Sequence, residues 1–209
     1  CIWQGLTDPE ERGEFAVRNG EIVQSSVKTP PPAAADRLYL VTIAGYPGFE
    51  LLYKALSTMG FYNLNPDRIR DLQSPDSGEL MARNGDNLTA VFSNLTRTAP
   101  SSADRVVEFL SLVVPGVESV HPRALGPKET LEFREKAEGG EKARKFLAAS
   151  MSDGTLRALG VLVALFQRSS GRGAVSLVGI EEPEMALYPA AAGVLLDSLR
   201  EASQLSLIH

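Results

Sequence analysis

Cysteine is almost missing from this chain: Cys1 is the single one among 209 residues. No disulfide can form within it, which excludes the disulfide-stapled secreted scaffolds and fits a reducing cytoplasm, the compartment expected here. Histidine is nearly as scarce, with two residues. His121 stands before Pro122 with no Cys or His partner at ligand spacing, so it reads as a loop histidine rather than a metal ligand. No run of about 18 apolar residues occurs and no signal-peptide pattern is read, so no membrane partner is expected. An excess of positive charge is lacking too. The net charge of −5 and pI near 5.2 exclude a generally basic nucleic-acid surface, though not a local basic patch. Finally, no Gly-Lys pair exists anywhere, so the glycine-rich phosphate loop G-x-x-x-x-G-K-[ST] is absent from these residues.

What is present is ordinary globular material. Apolar residues make up 44% and charged residues 22%, which rules out wholesale disorder. The length suits one large domain or a domain with an insertion. Residues 14–18 and 21–24 around Asn19-Gly20 read as a β-hairpin. Residues 27–36, with Pro30-Pro31-Pro32 and three alanines, read as a stiff exposed linker. The apolar run 38–43 predicts a short strand or an extended entry to a helix, and residues 49–59 have helical spacing at Leu52, Leu56 and Met59.

From Gly60 to Pro115 the character is helical. Asn65-Pro66 is an N-cap with proline at the first helical position. Asn87 is expected to cap a helix carrying Leu88, Val91, Phe92 and Leu95, and Ser102 to open a third with Val106, Phe109, Leu110 and Val113 on one face. Arg68 and Arg70 could meet DNA or phosphate, but exposed arginines on a short helix read as solvated charge. Residues 117–120 and the alternating 130–134 predict strands, and residues 144–148 a return strand leading to Ser152.

Two stretches carry candidate chemistry. The first is Met151-Ser152-Asp153-Gly154-Thr155-Leu156-Arg157. Ser152 is a good N-cap, Asp153 complements the helix dipole, and Gly154 leaves the backbone open to close approach. Such a helix start is an anion site made of free N–H groups. The helix that follows is apolar nearly all round, which buries it and fixes its N-terminus in space. The second stretch is the short apolar run 175–180 ended by Glu181 and Glu182. It suits a strand buried in a parallel sheet, whose ligands bind beyond the carboxyl ends. There one carboxylate can hold Mg²⁺ through water while its neighbour polarises a water for attack on a phosphoryl group. The alternative for the pair is a solvated turn before Pro183. The loop 169–173 is glycine-rich but follows a helix and precedes a strand, the reverse of a phosphate loop. Pro189 then starts a helix bearing Leu195, Leu196 and Leu199.

M-S-D-G-T, a helix, then a strand ending E-E-P-E-x-x-L-x-P resembles the signature motif and Walker B of ABC-type ATPases, and most closely the RecF/SMC/OLD-like branch of AAA-type predicted ATPases. Residues 62–66 (Y-N-L-N-P) and 84–88 (N-G-D-N-L) also look like this family but read, by their residues, as turns and caps. The resemblance implies an α/β, P-loop NTPase-like parallel sheet flanked by helices, with an antiparallel β region and a helical insertion. It implies residues 1–48 as the remainder of the N-terminal β part, 49–128 as an arm- or lid-like insertion, and 129–209 as the C-terminal ATPase core. ATP and Mg²⁺ follow as cofactors, with Glu181 as metal ligand and Glu182 as catalytic base. Ser152, Asp153, Gly154 and Thr155 would contact ATP, with Ser152 and Gly154 reaching the γ-phosphate held by a second copy in a head-to-tail homodimer. His209 falls near the switch-histidine position. ABC ATPases usually have Asp where Glu181 stands, though a Glu-Glu pair is familiar in this branch, and His is common where Tyr188 stands.

Because the Walker A motif is absent and the chain begins with Cys, we expect a fragment, the C-terminal two-thirds of a nucleotide-binding module, inactive alone. The expected activity of the whole protein is ATP hydrolysis coupled to work in DNA repair or defence, with DNA or an effector protein as partner. The rivals are a non-hydrolytic ATP-dependent switch and, more weakly, a metal nuclease using Glu181, Glu182 and Glu184.

Overall fold

The computed structural model describes residues 2–4, 13–136, 143–167, 177–183, 193–194 and 196–201. They fall into two compact units, Cys1–Met59 and Gly60–His209.

In the first unit, β1 (Ile2–Gln4), β2 (Glu14–Arg18) and β3 (Glu21–Ser25) form an antiparallel sheet in chain order. The β2–β3 turn is the expected Asn-Gly: Asn19 and Gly20 both have positive φ (51° and 83°), as the hairpin turn demands. Phe15 projects into a small core with Tyr39, Leu40, Ile43 and Phe49, meeting the Tyr39 ring edge-on at 5.2 Å. The run 38–43 is not extended. Tyr39–Ile43 is a helical turn, α1, because Tyr39, Leu40 and Ile43 reach one core only with helical spacing. Nor is the proline-rich stretch a free linker: Val27 and Ala33 pack on this core, and the Tyr39 hydroxyl donates to the Pro31 carbonyl at 2.8 Å. α2 (Glu50–Ser57) follows and buries none of its residues among those described.

The second unit is built around α6 (Asp153–Phe166). Every residue of α6 from Ala158 to Phe166 is buried, together with Thr155 and Leu156. Around it lie α3 (Pro66–Arg70), α4 (Leu88–Thr98) and α5 (Pro100–Val113), with an antiparallel sheet of β5 (Val117–Leu125), β6 (Lys128–Glu135) and β7 (Arg144–Leu147). A short 3₁₀ turn, Ala148–Ser150, leads from β7 to α6. β4 (Gly60–Tyr62) and β8 (Val178–Ile180) pair in parallel, Gly60 with Val178 and Tyr62 with Ile180. Residues 193–194 and 196–201 are helical. The architecture is mixed α/β, with a parallel pair, antiparallel sheets and helices.

Three local expectations change. Gly60–Tyr62 is a strand in a region read as helical, because its partner β8 lies far along the chain. α5 begins at Pro100 rather than Ser102, with proline at the first helical position. Asn87 does not cap α4 with its side chain. The acceptor is Gln73, 16 residues upstream, whose buried side chain takes the Thr89 N–H at 2.8 Å and donates to the Gly85 carbonyl at 3.0 Å. Asn87 instead accepts from the Ala82 N–H at 2.8 Å and donates to the Leu80 carbonyl at 3.0 Å.

Candidate nucleotide site

Both stretches with candidate chemistry lie in the second unit, and residues 63–70 touch each of them. The parallel pairing of β8 with β4 is prolonged by a bond from the Glu181 N–H to the Tyr62 carbonyl, 2.9 Å. Glu181 and Glu182 therefore stand at the C-terminal end of a parallel strand, where such sheets carry ligands. Tyr62 is fixed from behind. Its buried hydroxyl accepts from the Gln167 amide at 2.6 Å, and burial pushes its phenol above the ordinary range while that bond pulls the other way.

The two carboxylates are treated differently. Glu181 is held on both oxygens: the Asn63 amide donates to Oε2 at 2.6 Å and the Arg83 guanidinium to Oε1 at 2.8 Å. The two donors are themselves tied together. The Asn63 N–H bonds the Arg83 carbonyl at 2.9 Å and the Asn65 N–H the Asn84 carbonyl at 3.1 Å. Gly85, with φ +80°, makes the turn that follows, and a Cβ there would stand 2.9 Å from Ile69 Cγ1. Glu182 has φ 47°. A non-glycine residue held in that region costs roughly 1–2 kcal/mol. Among the described residues no side chain engages its carboxylate, which is exposed.

At the other stretch, Ser152 caps α6: its hydroxyl accepts the Thr155 N–H at 3.1 Å and lies 2.8 Å from the Thr155 hydroxyl. The Asp153 and Gly154 N–H groups then head the helix without intrahelical acceptors. Ser152 and Asp153 are exposed, whereas Thr155 is buried and supports the cap from beneath. Arg70 of α3 grips this helix start, pairing with the Asp153 carboxylate and donating to the Met151 carbonyl at 3.3 Å. It also pairs with Asp67 at 2.6 Å. The Asp153 bond is the main reason the Arg70 pKa is raised. One helical turn on, Arg157 has a buried Nε with no hydrogen-bond partner among the described residues. Glu184, His209 and the loop 169–173 lie outside the described residues.

Sequence reasoning missed Asn63, Arg83 and the grip of Arg70. For Asn63 the signal was the stretch 62–66, noticed for its resemblance and left without chemistry; Arg83 and Arg70 lie outside both stretches so noticed. His121 lies within β5, opposite Glu132, rather than in a loop; it is exposed and pairs with the Ser119 hydroxyl at 3.0 Å. No cluster of His, Cys, Asp and Glu able to hold a metal alone occurs among the described residues. No helix among them is long and apolar enough to cross a membrane.

Residues 49–208 match the family described as "AAA domain, putative AbiEii toxin, Type IV TA system". The chain belongs to this family. No curated protein matches it, and no solved structure does. As an AAA-type member of the P-loop ATPase class it has the coarse character of a nucleotide-binding, ATPase-type domain. The residues of the AAA domain fit such a ligand. An orphaned buried arginine nitrogen and two free N–H groups at the start of α6 suit phosphate oxygens. Glu181, half exposed, keeps lone pairs beyond those used by Asn63 and Arg83, enough for a hydrated Mg²⁺.

Proposed function

We propose that this AAA domain hydrolyses ATP as an ABC-type, RecF/SMC-like module that closes head to tail around nucleotide. The observation that carries the reading is the unequal treatment of the two carboxylates at the end of β8. Glu181 is oriented through both oxygens, as a metal-holding carboxylate must be, while Glu182 projects unengaged among the described residues, as a base awaiting water must. Glu181 would hold a hydrated Mg²⁺, which would supply positive charge against the phosphates. Glu182 orients the attacking water and takes up its proton. Ser152, Asp153, Gly154 and Thr155 form the capped helix start that meets the γ-phosphate carried by a second copy, with Arg157 behind it. His209 keeps its place as a candidate γ-phosphate contact. This reading requires a phosphate loop supplied by another segment, since these 209 residues hold no Gly-Lys pair. Cytoplasmic work in DNA repair or defence follows from the branch, and the family description, which names a toxin–antitoxin system, favours defence.

The test is Glu182→Gln in the whole natural protein. ATP turnover should fall by about 10²–10⁴-fold, the usual loss for a positioned general base. Nucleotide binding should persist, and the closed dimer should accumulate in size-exclusion chromatography. Unchanged turnover would return Glu182 to the role of a turn residue and favour a non-hydrolytic switch.

A further inference from the structure

Arg83 does something to Glu181 that Asn63 does not. Both orient the carboxylate, but Asn63 is neutral and Arg83 carries a permanent positive charge. The backbone that presents Arg83 is firmly anchored. Its carbonyl accepts the Asn63 N–H at 2.9 Å, and the Ala82 carbonyl accepts the Gly85 N–H at 2.9 Å. Just ahead, the Ala82 N–H bonds the Asn87 side chain at 2.8 Å and the Met81 N–H the Gln167 side chain at 3.0 Å. The guanidinium at the end of this turn is nonetheless exposed, and among the described residues Glu181 is its one partner. The ion cluster on β6 makes a contrast. There the Glu132 side chain is 8% exposed and is held by Arg123 and by Lys145, whose Nζ lies 3.0 Å away. Its pKa is lowered chiefly by the Lys145 hydrogen bond and then by Arg123, against the effect of burial. That cluster is locked in place. The Arg83–Glu181 pair, with side chains 66% and 53% exposed, is weak and open to a competing cation.

We propose that Arg83 is a charge gate on Glu181: it keeps free divalent metal off the carboxylate and admits the ion only in company with nucleotide phosphate. This gate presupposes that Glu181 is the metal ligand of the proposed site. A carboxylate already neutralised by a guanidinium has no net charge to offer a free divalent ion. Nor does any cluster able to hold a metal alone occur among the described residues. A doubly charged ion on Glu181 would face the Arg83 charge across one carboxylate, a repulsion that even water-like screening leaves at about tenfold in affinity. Nucleotide reverses the balance. Its phosphates supply negative charge and oxygen ligands together, and Mg²⁺ is ordinarily held by one or two carboxylates plus substrate phosphates. Arg83 then has a negative neighbour again. Metal and nucleotide therefore bind synergistically, each raising the affinity of the other by the same factor.

The experiment is Mn²⁺ titration of the nucleotide-free whole natural protein at low salt, with the free ion followed by electron paramagnetic resonance. Wild type should bind weakly. Arg83→Gln, checked for folding by circular dichroism, removes the charge and should bind about threefold more tightly or better. Arg83→Lys disturbs the bond geometry but keeps the charge, and should stay close to wild type. Asn63→Ala loses a neutral donor and should show no gain. Adding Glu181→Gln to Arg83→Gln should abolish the gain, which assigns it to this carboxylate rather than to other surface acids. With ATP present, Arg83→Gln should lose about threefold or more of the synergy between Mn²⁺ and nucleotide. No gain in Arg83→Gln, an equal gain in Arg83→Lys, a gain that survives Glu181→Gln, or unchanged synergy would each overturn the gate. These measurements read binding and not turnover. The gate can therefore fail while Glu182→Gln still stops hydrolysis, and the hydrolytic reading can fail while the gate holds.

Discussion

Asn63 shows how one side chain can matter more than its residue type suggests. Its amide fixes one oxygen of Glu181 while Arg83 fixes the other. Asn63→Ala leaves that carboxylate free to rotate about the remaining bond. Loss of a partner that orients a metal-holding carboxylate typically costs about 10–100-fold in metal affinity or activity. In the whole natural protein the half-saturating Mg²⁺ concentration of turnover should rise accordingly, and an unchanged Mg²⁺ dependence would dismiss Asn63 as a positioning residue. Glu132 allows a second prediction at this scale, read through stability. Its folded-state pKa is lowered, so its contribution is present above the unfolded carboxylate value, about 4.3, and is lost as pH falls through the lower folded value. Urea melts at stepped pH should show wild type more stable than Glu132→Gln at pH 7. The two should converge as the medium is acidified below about pH 4.

Among the elements, α6 is the one whose start and body serve different ends. The body is surrounded by core, so packing holds the start in place together with the Ser152 cap and the Arg70 grip. Ser152→Ala removes the cap acceptor for the Thr155 N–H and should cost about 1 kcal/mol in a urea melt. Ser152→Arg, by contrast, fills the space ahead of the helix. It should abolish ATP-dependent dimerisation of the whole natural protein while leaving monomer affinity for ATP unchanged, as checked by nucleotide titration and size-exclusion chromatography. Loss of affinity in the monomer would place the helix start in a local site instead. These caps were legible in the sequence because each is local. Ser152 reaches three residues ahead and Asn65 two, and the Asn19-Gly20 turn joins adjacent strands. β4 was not legible, because a three-residue strand is defined by its partner, and that partner lies 118 positions away. Gln73 escaped for the same reason: a glutamine reaching 16 residues to cap another helix leaves no pattern in its own neighbourhood. The convergence of Asn63 and Arg83 on Glu181 spans 118 and 98 positions, so only folding brings it about.

For the molecule as a whole, the phosphate cradle decides what the 209 residues can do unaided. Without a Gly-Lys pair they hold no phosphate loop of the G-x-x-x-x-G-K-[ST] kind. Isothermal titration of the isolated chain with Mg²⁺–ATP should show no tight binding, and phosphate release should stay at background. Turnover at a rate ordinary for an ATPase, about 1 per second or more, would mean that another stretch supplies the cradle.

Residues 63–70 have one end on Glu181 and the other on Asp153. Between the two ends, Leu64 and Ile69 are clamped into the core, where Leu64 lies so close to Gly160 that a Cβ there would be 2.8 Å from it. Anchored beside both tips, the segment acts as a spacer: the two stretches it joins keep a fixed separation, and a core substitution at Leu64 or Ile69 would disturb both at once.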